Sequence, residues 1–363
     1  MKAVVANRYM VRQLINFASG SSFGQCARIA DIPFPQVDDD EILVQVHAVA
    51  LNPIDFKSVD FISPNNSVIG CDYAGEVTQV GSKMVDQWKI GDRVAGFVHG
   101  GQYPNVGSFA EYLKINGELA WRIPDTVTDS EAATYGVPAV TAILALAHLD
   151  IPWEDILTGV NAQSKTPEKP TVFIYSGASN VGLFAIQLAK RAGLQVVVTA
   201  SPRSSDLAKH YGADSVFDYQ SPTAIAEISE AYPNITGAVD CFSEGNSSDF
   251  CAQVLKEGRV ITLLDQGKPK KPSIEYKFLM VFTAFDRQFS WLAPLGPVFP
   301  VVSNNREALR QLYANLDRLS LRPPPVTTMG GGFDGILKGL DKLRKGEVRG
   351  TKLVVDFMID AHL

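Results

Sequence analysis

The sequence predicts an α/β protein of two modules, a strand-rich one followed by an open parallel sheet covered on both faces. Three observations predict it. The chain has 363 residues and a mass of 39.4 kDa, beyond the roughly 250–300 residues at which one hydrophobic core stops growing. Short β-type runs punctuated by Gly, Pro and Asn dominate residues 1–120. From residue 171 the pattern becomes strand alternating with helix, as in a parallel sheet.

Residues 41–51 (EILVQVHAVAL), 73–80 (YAGEVTQV), 92–98 (DRVAGFV) and 109–115 (FAEYLKI) read as strands of a curled sheet or partial barrel. Residues 129–148 read as a helix capped by Asp129 or Ser130, with Glu131 in its first turn and Pro138 breaking or kinking it. Residues 151–170, polar and proline-containing, read as a surface loop. Strands follow at TVFIYSG, LQVVVTASP, SVFDY, GAVDCF and RVITLL, separated by the helices ASNVGLFAIQLAKRAG, SDLAKHYGA, TAIAEISEAY and SDFCAQVLKEG. Beyond them the alternation stops. The patch WLAPLGPVFP (291–300) precedes two helical stretches, NREALRQLYANLDRLS and DGILKGLDKLRKG, and a terminal strand, TKLVVDF.

Composition excludes several classes. Hydrophobic residues make up 46% and charged residues 20%, so the chain is not disordered. The net charge of −6 leaves no basic footprint for nucleic acid. Cys26, Cys71, Cys241 and Cys251 form no C-x-x-C pair, so neither a zinc ribbon nor a disulfide scaffold is expected. The N-terminus lacks the apolar run of a secretory signal, and no stretch approaches the ~18–20 consecutive apolar residues of a membrane span. A soluble, cytoplasmic protein without a membrane partner is the expectation.

The sharpest chemistry lies at 171–190. An apolar strand enters the turn Gly177, Ala178, Ser179, Asn180, Val181, Gly182 and leaves as an apolar helix. Such a turn lets backbone N–H groups at a helix N-terminus meet a pyrophosphate. Gly177 permits the tight turn and Gly182 close packing of helix on sheet. The second strand ends at Ala200, where an NAD site carries an acid. Here stand Ser201, Pro202, Arg203 and Ser204, hydroxyls and a guanidinium that suit a 2′-phosphate, so NADPH is favoured over NADH. Tyr219 can stack near the same phosphate or simply pack. Leu263 and Leu264, ending RVITLL, fall on the nicotinamide side or in the core.

Several segments together resemble a known family. HAVALNPIDFK (47–57), VIGCDYAGEVTQVG (68–81), IGDRVAGF (90–97), GSFAEYL (107–113), GVPAVTAILAL (136–146) and SGASNVG (176–182) resemble the zinc-independent medium-chain dehydrogenases/reductases. Within them the chain is most similar to trans-acting enoyl reductases of fungal polyketide synthases. The stretches SPRSSDLAK and VFDY and the tail GGFDGILKGLDKLRKGEVRGTKLVVDF carry that likeness.

The resemblance implies a split GroES-like β-domain (1–140, completed by 300–363) around an inserted Rossmann domain (141–299), with the active site between them. It also implies no metal site. The zinc-ligand positions of related enzymes are Asn52, Cys71–Asp72 and the neighbourhood of Val137 here, and a lone Cys71 cannot build a three-ligand catalytic site. Reduction of a polarised C=C bond by NADPH is the implied chemistry, leaving an enolate to be stabilised and protonated.

The matching positions give Lys57 as proton relay or enolate donor, and a lysine is cationic at neutral pH. Asn52 is implied to hold the nicotinamide or ribose, with a turn-forming Asn before Pro53 as the alternative. Asp55 either orients Lys57 near the cofactor or caps a helix. Thr141 is implied to bond the carboxamide or the substrate carbonyl, or else its own helix backbone. Lys352 matches a cofactor-contacting position, and Tyr135 is a weaker proton donor. The aromatics and prolines of 286–299 suit an acyl-chain pocket. Pro294, Pro297 and Pro300 disfavour strand pairing across a dimer, so a monomer is expected. The substrate implied is an acyl thioester on the acyl carrier domain of a polyketide synthase. A stand-alone quinone or enone reductase and a non-catalytic NADPH-binding protein are the competing readings.

Overall fold

The computed structural model describes residues 1–7, 26–159, 169–292 and 296–358. Its contacts divide into two units: Met1–Val137 with Phe282–Asp317 and Pro323–Leu363, and Pro138–Val281 with Arg318–Arg322. One unit is therefore interrupted in sequence by the other.

The first unit is built on a seven-stranded sheet. Its order is β16 (Val326–Met329), β17 (Lys352–Asp356), β3 (Glu41–Ala50), β4 (Asp72–Val80), β5 (Arg93–Phe97) and β7 (Ala120–Arg122), with β6 (Tyr112–Asn116) also paired to β3. Register shifts between Leu43/Val44 and Val46/Ala48 mark irregularities that help the sheet curl. The terminal strand lies antiparallel to β3, with Val354 opposite Ala50 and Val355 opposite Val49. The end of the chain thus completes the sheet its beginning opened. A separate pair, β1 (Lys2–Ala6) and β2 (Ala27–Asp31), lies beside it through Ala3–Ala110 and Val5–Val68 bridges.

Three helical segments matter here. Helix α1 (Pro53–Lys57) starts directly after β3 and runs into a π-turn, Ser58–Ile62. The expected helix at 129–148 is broken. Helix α2 (Asp129–Ala132) gives way to a 3-10 turn (Ala133–Tyr135), and α3 (Val137–Ala147) starts anew after Gly136 with Pro138 in its first turn, where proline is tolerated. The cap of α2 is Thr128, not Asp129 or Ser130. Thr128 Oγ1 accepts from Glu131 N and Glu131 Oε2 accepts from Thr128 N. Asp129 is engaged elsewhere, by Arg93 and His47. The run Asp129–Ala147 is long and apolar enough to cross a membrane, but 83% of its window is buried inside the protein.

The second unit holds six parallel strands. They are β8 (Thr171–Tyr175), β9 (Gln195–Ala200), β10 (Ser215–Asp218), β11 (Gly237–Asp240), β12 (Gly258–Thr262) and β13 (Ile274–Phe278), in the order β10-β9-β8-β11-β12-β13. This is the doubly wound dinucleotide-binding order, with its topological switch between β8 and β11. Between the strands run α5 (Asn180–Arg191), α6 (Ser205–His210), α7 (Ala224–Ala231) and α8 (Ser247–Val254). The expected loop at 151–170 is partly helical, because α4 (Trp153–Thr158) forms behind Pro152; residues 160–168 lie outside the described residues. A short hairpin of β14 (Phe289–Ser290) and β15 (Val298–Phe299) precedes α9 (Ser303–Leu319), which lies in the first unit up to Asp317, and α10 (Gly332–Arg344).

Asp129 predicts a pH dependence. Burial opposes its charge, but hydrogen bonds from His47 and Arg93 outweigh it and hold the carboxyl below its ordinary value. A depressed carboxyl stabilises above the unfolded pKa and loses that contribution as pH falls through the folded one. Asp129→Asn is therefore expected to be less stable than the parent at neutral pH. The gap should close as pH drops below about 4, measured by urea unfolding across that range.

Candidate active site

In the first unit, four stretches far apart in sequence converge on one buried ammonium. Lys352, opening β17, is 1% exposed, and its Nζ donates to Asn52 Oδ1 and, at 3.1 Å, to Asp72 Oδ2. Asn52 Nδ2 donates to the same Asp72 oxygen at 2.8 Å and to Ala50 O at 3.3 Å. The other oxygen, Asp72 Oδ1, accepts the Val137 N–H at 2.7 Å. A Cβ on Gly136 would lie 2.1 Å from that oxygen, so only glycine lets α3 begin there.

Asp55 completes the cluster. Its Oδ2 accepts the Asn52 N–H at 2.7 Å, which starts α1. The Cys71 thiol lies beside its carboxyl, while Oδ1 is buried without a partner in hydrogen-bonding geometry. Burial, and then the charge of Asp72, push the Asp55 carboxyl up to about 7, against the pull of the Asn52 N–H. Burial also raises Asp72 despite the Lys352 charge, and raises the Cys71 thiol.

Lys57 ends α1 and is only partly buried. The turn after it is held by α10. Arg344 Nε and Nη2 donate to the two oxygens of the fully buried Asp60 at 2.8 and 3.0 Å. The aromatic stretch expected to line an acyl pocket packs on itself. Phe289 stacks on Phe299 at 4.8 Å, and Trp291 meets Phe299 edge-on at 4.8 Å. His99 stacks on Phe282 at 4.0 Å, and burial holds it neutral, with its pKa down to about 3. Pro294 lies outside the described residues.

The second unit carries the glycine turn. Ser176 stands at φ 62°, and Ser179 caps α5 by accepting from Gly182 N at 3.1 Å while donating to Ser176 O at 2.7 Å. A Cβ on Gly177 would lie 2.7 Å from Val198 Cβ, and one on Gly182 2.5 Å from Ser176 O. Bare backbone at the head of a twelve-residue helix is a cradle that fits a pyrophosphate. Ala178, Asn180 and Val181 complete that turn. After β9, Ser201 Oγ meets Ser204 Oγ at 3.1 Å across the turn Pro202–Ser204, and Arg203 is exposed. A cavity of ≈ 440 Å³ opens near the switch point, lined among others by Tyr175, Tyr219, Phe242 and Phe250. Its rings suit a planar base. Thr141 is buried in α3.

Sequence reading missed the residue that shapes this edge. Asp240, ending β11, accepts from Phe242 N and Ser243 N through Oδ1 and from the Ser247 and Ser248 hydroxyls through Oδ2. Ser243 Oγ in turn accepts the Leu263 N–H at 2.7 Å and so ties down the loop bearing Leu263 and Leu264. An acid closing a buried strand before a serine-rich turn was the available signal.

Residues 38–125 match the family model of the alcohol dehydrogenase GroES-like domain, and residues 180–289 that of zinc-binding dehydrogenase. The trans-enoyl reductase caaB of Aspergillus niger is 35% identical over 346 residues, 91% of this chain and 94% of that protein. The chain belongs to the medium-chain dehydrogenase/reductase family. Two solved structures share its fold. The quinone oxidoreductase of Coxiella burnetii is 22% identical with a TM-score of 0.66, covering 98% of this chain and 99% of its own. The CurK enoyl reductase is 19% identical with a TM-score of 0.70, covering 97% and 99%. The frame is a GroES-like domain split around a Rossmann domain, and it holds a nicotinamide cofactor.

One matching model is named for zinc, but the donor set does not fit that ion. The oxygens of Asn52 and Asp72 already take the Lys352 ammonium, and no group of three metal-ligating side chains occurs among the described residues.

Gly182→Ala tests the cradle. The new Cβ meets a backbone carbonyl, so a loss of about 1–3 kcal/mol is expected. Dinucleotide binding should weaken by about tenfold. Thermal unfolding and NAD(P)H fluorescence titration measure the two effects.

Proposed function

We propose that the protein is an NADPH-dependent enoyl reductase. Its substrate is an α,β-unsaturated acyl thioester carried on the acyl carrier domain of a partner polyketide synthase. The observation that carries this reading is the near full-length likeness to a trans-enoyl reductase.

The choice of NADPH rests on the end of β9. No carboxylate stands there to repel a 2′-phosphate, and Ser201, Ser204 and the exposed Arg203 offer it hydroxyls and a guanidinium. The backbone from Gly177 to Gly182 would take the pyrophosphate, Tyr219 would flank the adenosine phosphate, and Leu263 and Leu264 would face the nicotinamide. Bound there, the cofactor supplies a hydride for the β-carbon of the substrate.

The chain's own groups deal with the charge this leaves. An enolate oxygen needs a fixed donor, and Lys57, partly buried at the end of α1, is the cation that would serve it or pass a proton towards the α-carbon. The Thr141 hydroxyl holds the substrate carbonyl. Asn52 and Asp55 support the reaction at one remove. The amide of Asn52 is engaged by Lys352 and Asp72, and Asp55 anchors the first turn of α1. Lys352 is likewise directed inwards by its side chain.

Three measurements test the reading. NADPH oxidation should be faster with crotonyl or 2-methylcrotonyl thioesters than with simple quinones, and the reverse order would favour a quinone reductase. Lys57→Ala should lower kcat by about 10²–10⁴ with the Kd for NADPH within about threefold of the parent. Arg203→Ala should cut the preference for NADPH over NADH by about 10–100-fold in kcat/KM.

A further inference from the structure

Lys57 sits on a very short helix. Even with the five-residue π-turn that continues it, α1 is too short to hold its own shape, so the direction of the run is set by what grips its start and its continuation. Both grips come from the last part of the chain. At the leading end, Lys352 donates to Asn52 Oδ1 and Asp72 Oδ2, and Asn52 is the residue at which α1 begins. Those partners lie 300 and 280 residues away in sequence. Beyond the trailing end, Arg344 grips Asp60 through two hydrogen bonds, three residues past Lys57. Both acids are fully buried, and the Lys352 side chain is 1% exposed.

The shape of the Asn52 amide explains why the first grip needs a cation. An amide can rotate to exchange its oxygen and nitrogen. Here an ammonium, which can only donate, fixes the oxygen on one side, and a carboxylate, which can only accept, fixes the nitrogen on the other. With the amide locked, the Asn52 backbone is locked too, and its N–H is presented to Asp55 at 2.7 Å. None of this is required to close the sheet, since β17 pairs with β3 and β16 through its backbone.

We propose that Lys352 and Arg344 are positioning residues that act through Asn52–Asp72 and Asp60 to hold Lys57 at its working place. The proposal rests on the enoyl-reductase reading for the role of Lys57, but the grip itself is independent of it. A small displacement of a catalytic group costs about 10²-fold in rate, so the grip carries catalytic weight without touching substrate.

The test uses charge-balanced pairs that leave no lone buried ion. Lys352→Met with Asp72→Asn, and separately Arg344→Met with Asp60→Asn, are made in the full chain. Thermal unfolding selects the pair that stays folded. Hydrogen exchange is followed in the peptide spanning residues 52–62, and kcat and the Kd for NADPH are measured on the same samples.

The expected result is exchange in 52–62 faster by about tenfold or more with the parallel sheet unchanged. It should come with a fall in kcat of about 10²-fold and cofactor affinity within about threefold. Unchanged exchange in 52–62, or faster exchange with full kcat, overturns the proposal. If the parent enzyme reduces no enoyl thioester, the functional reading fails, while the exchange data still decide the grip. If Lys57→Ala retains full kcat, the role of Lys57 fails, and with it the catalytic half of the proposal.

Discussion

The first module is organised around one charge kept out of water. The ammonium of Lys352 loses its hydration on folding, at a cost of several kcal/mol that only good partners offset. Asp72 supplies the opposite charge and Asn52 a second acceptor. Asp72 is shared further, since its other oxygen takes the first N–H of α3. Strand β4, the loop before α1, the start of α3 and strand β17 are thereby bound to a single point. A buried ion pair adds little net stability over an apolar one, but removing one member strands the others. The arrangement therefore specifies position more than it adds strength.

The same logic operates in the parallel sheet with a different group. Asp240 stands where β11 ends, and two backbone N–H groups and two hydroxyls donate to its carboxylate. A carboxylate so surrounded fixes the loop that follows, and Ser243 passes the constraint to the loop after β12. Both modules thus place an aspartate at a strand end and use it to set the geometry of loops. The glycine turn needs no such device, because its geometry comes from missing Cβ atoms at Gly177 and Gly182.

What was legible in the sequence follows from whether the signal was local. Strands buried on both faces read as apolar runs, so β8, β9, β11 and β12 stood out. The edge strand β13 went unread, because Glu275 and Lys277 interrupt its apolar pattern. Strand β16 is four residues of mixed burial among prolines and was missed for the same reason. The helix cap is Thr128, one residue before Asp129 and two before Ser130. Asp129 is a good cap by type, but Arg93 and His47, more than thirty residues away, claim it. The glycine turn and the serine–arginine end of β9 were readable because each is contiguous. Lys352 is the opposite case. As a lysine opening a strand it gives no local sign of burial, and its meaning depends on partners almost the whole chain away.

That separation bears on how the enzyme can vary. A group held by contiguous residues can change by local substitution, whereas Lys352 and Asp72 must change together or leave a lone charge inside the protein. Asp55 sharpens the constraint. It shares the interior with Asp72 and only one ammonium, and burial with that second carboxylate pushes its own carboxyl up to about 7. A second full negative charge is thus disfavoured there, and a further acid in the cluster would have no cation to answer it. The cluster has room for one ion pair, and the chain assigns it to Lys352 and Asp72, leaving Lys57 outside the pair and only partly buried. A lysine drawn into the interior pair would have its charge neutralised.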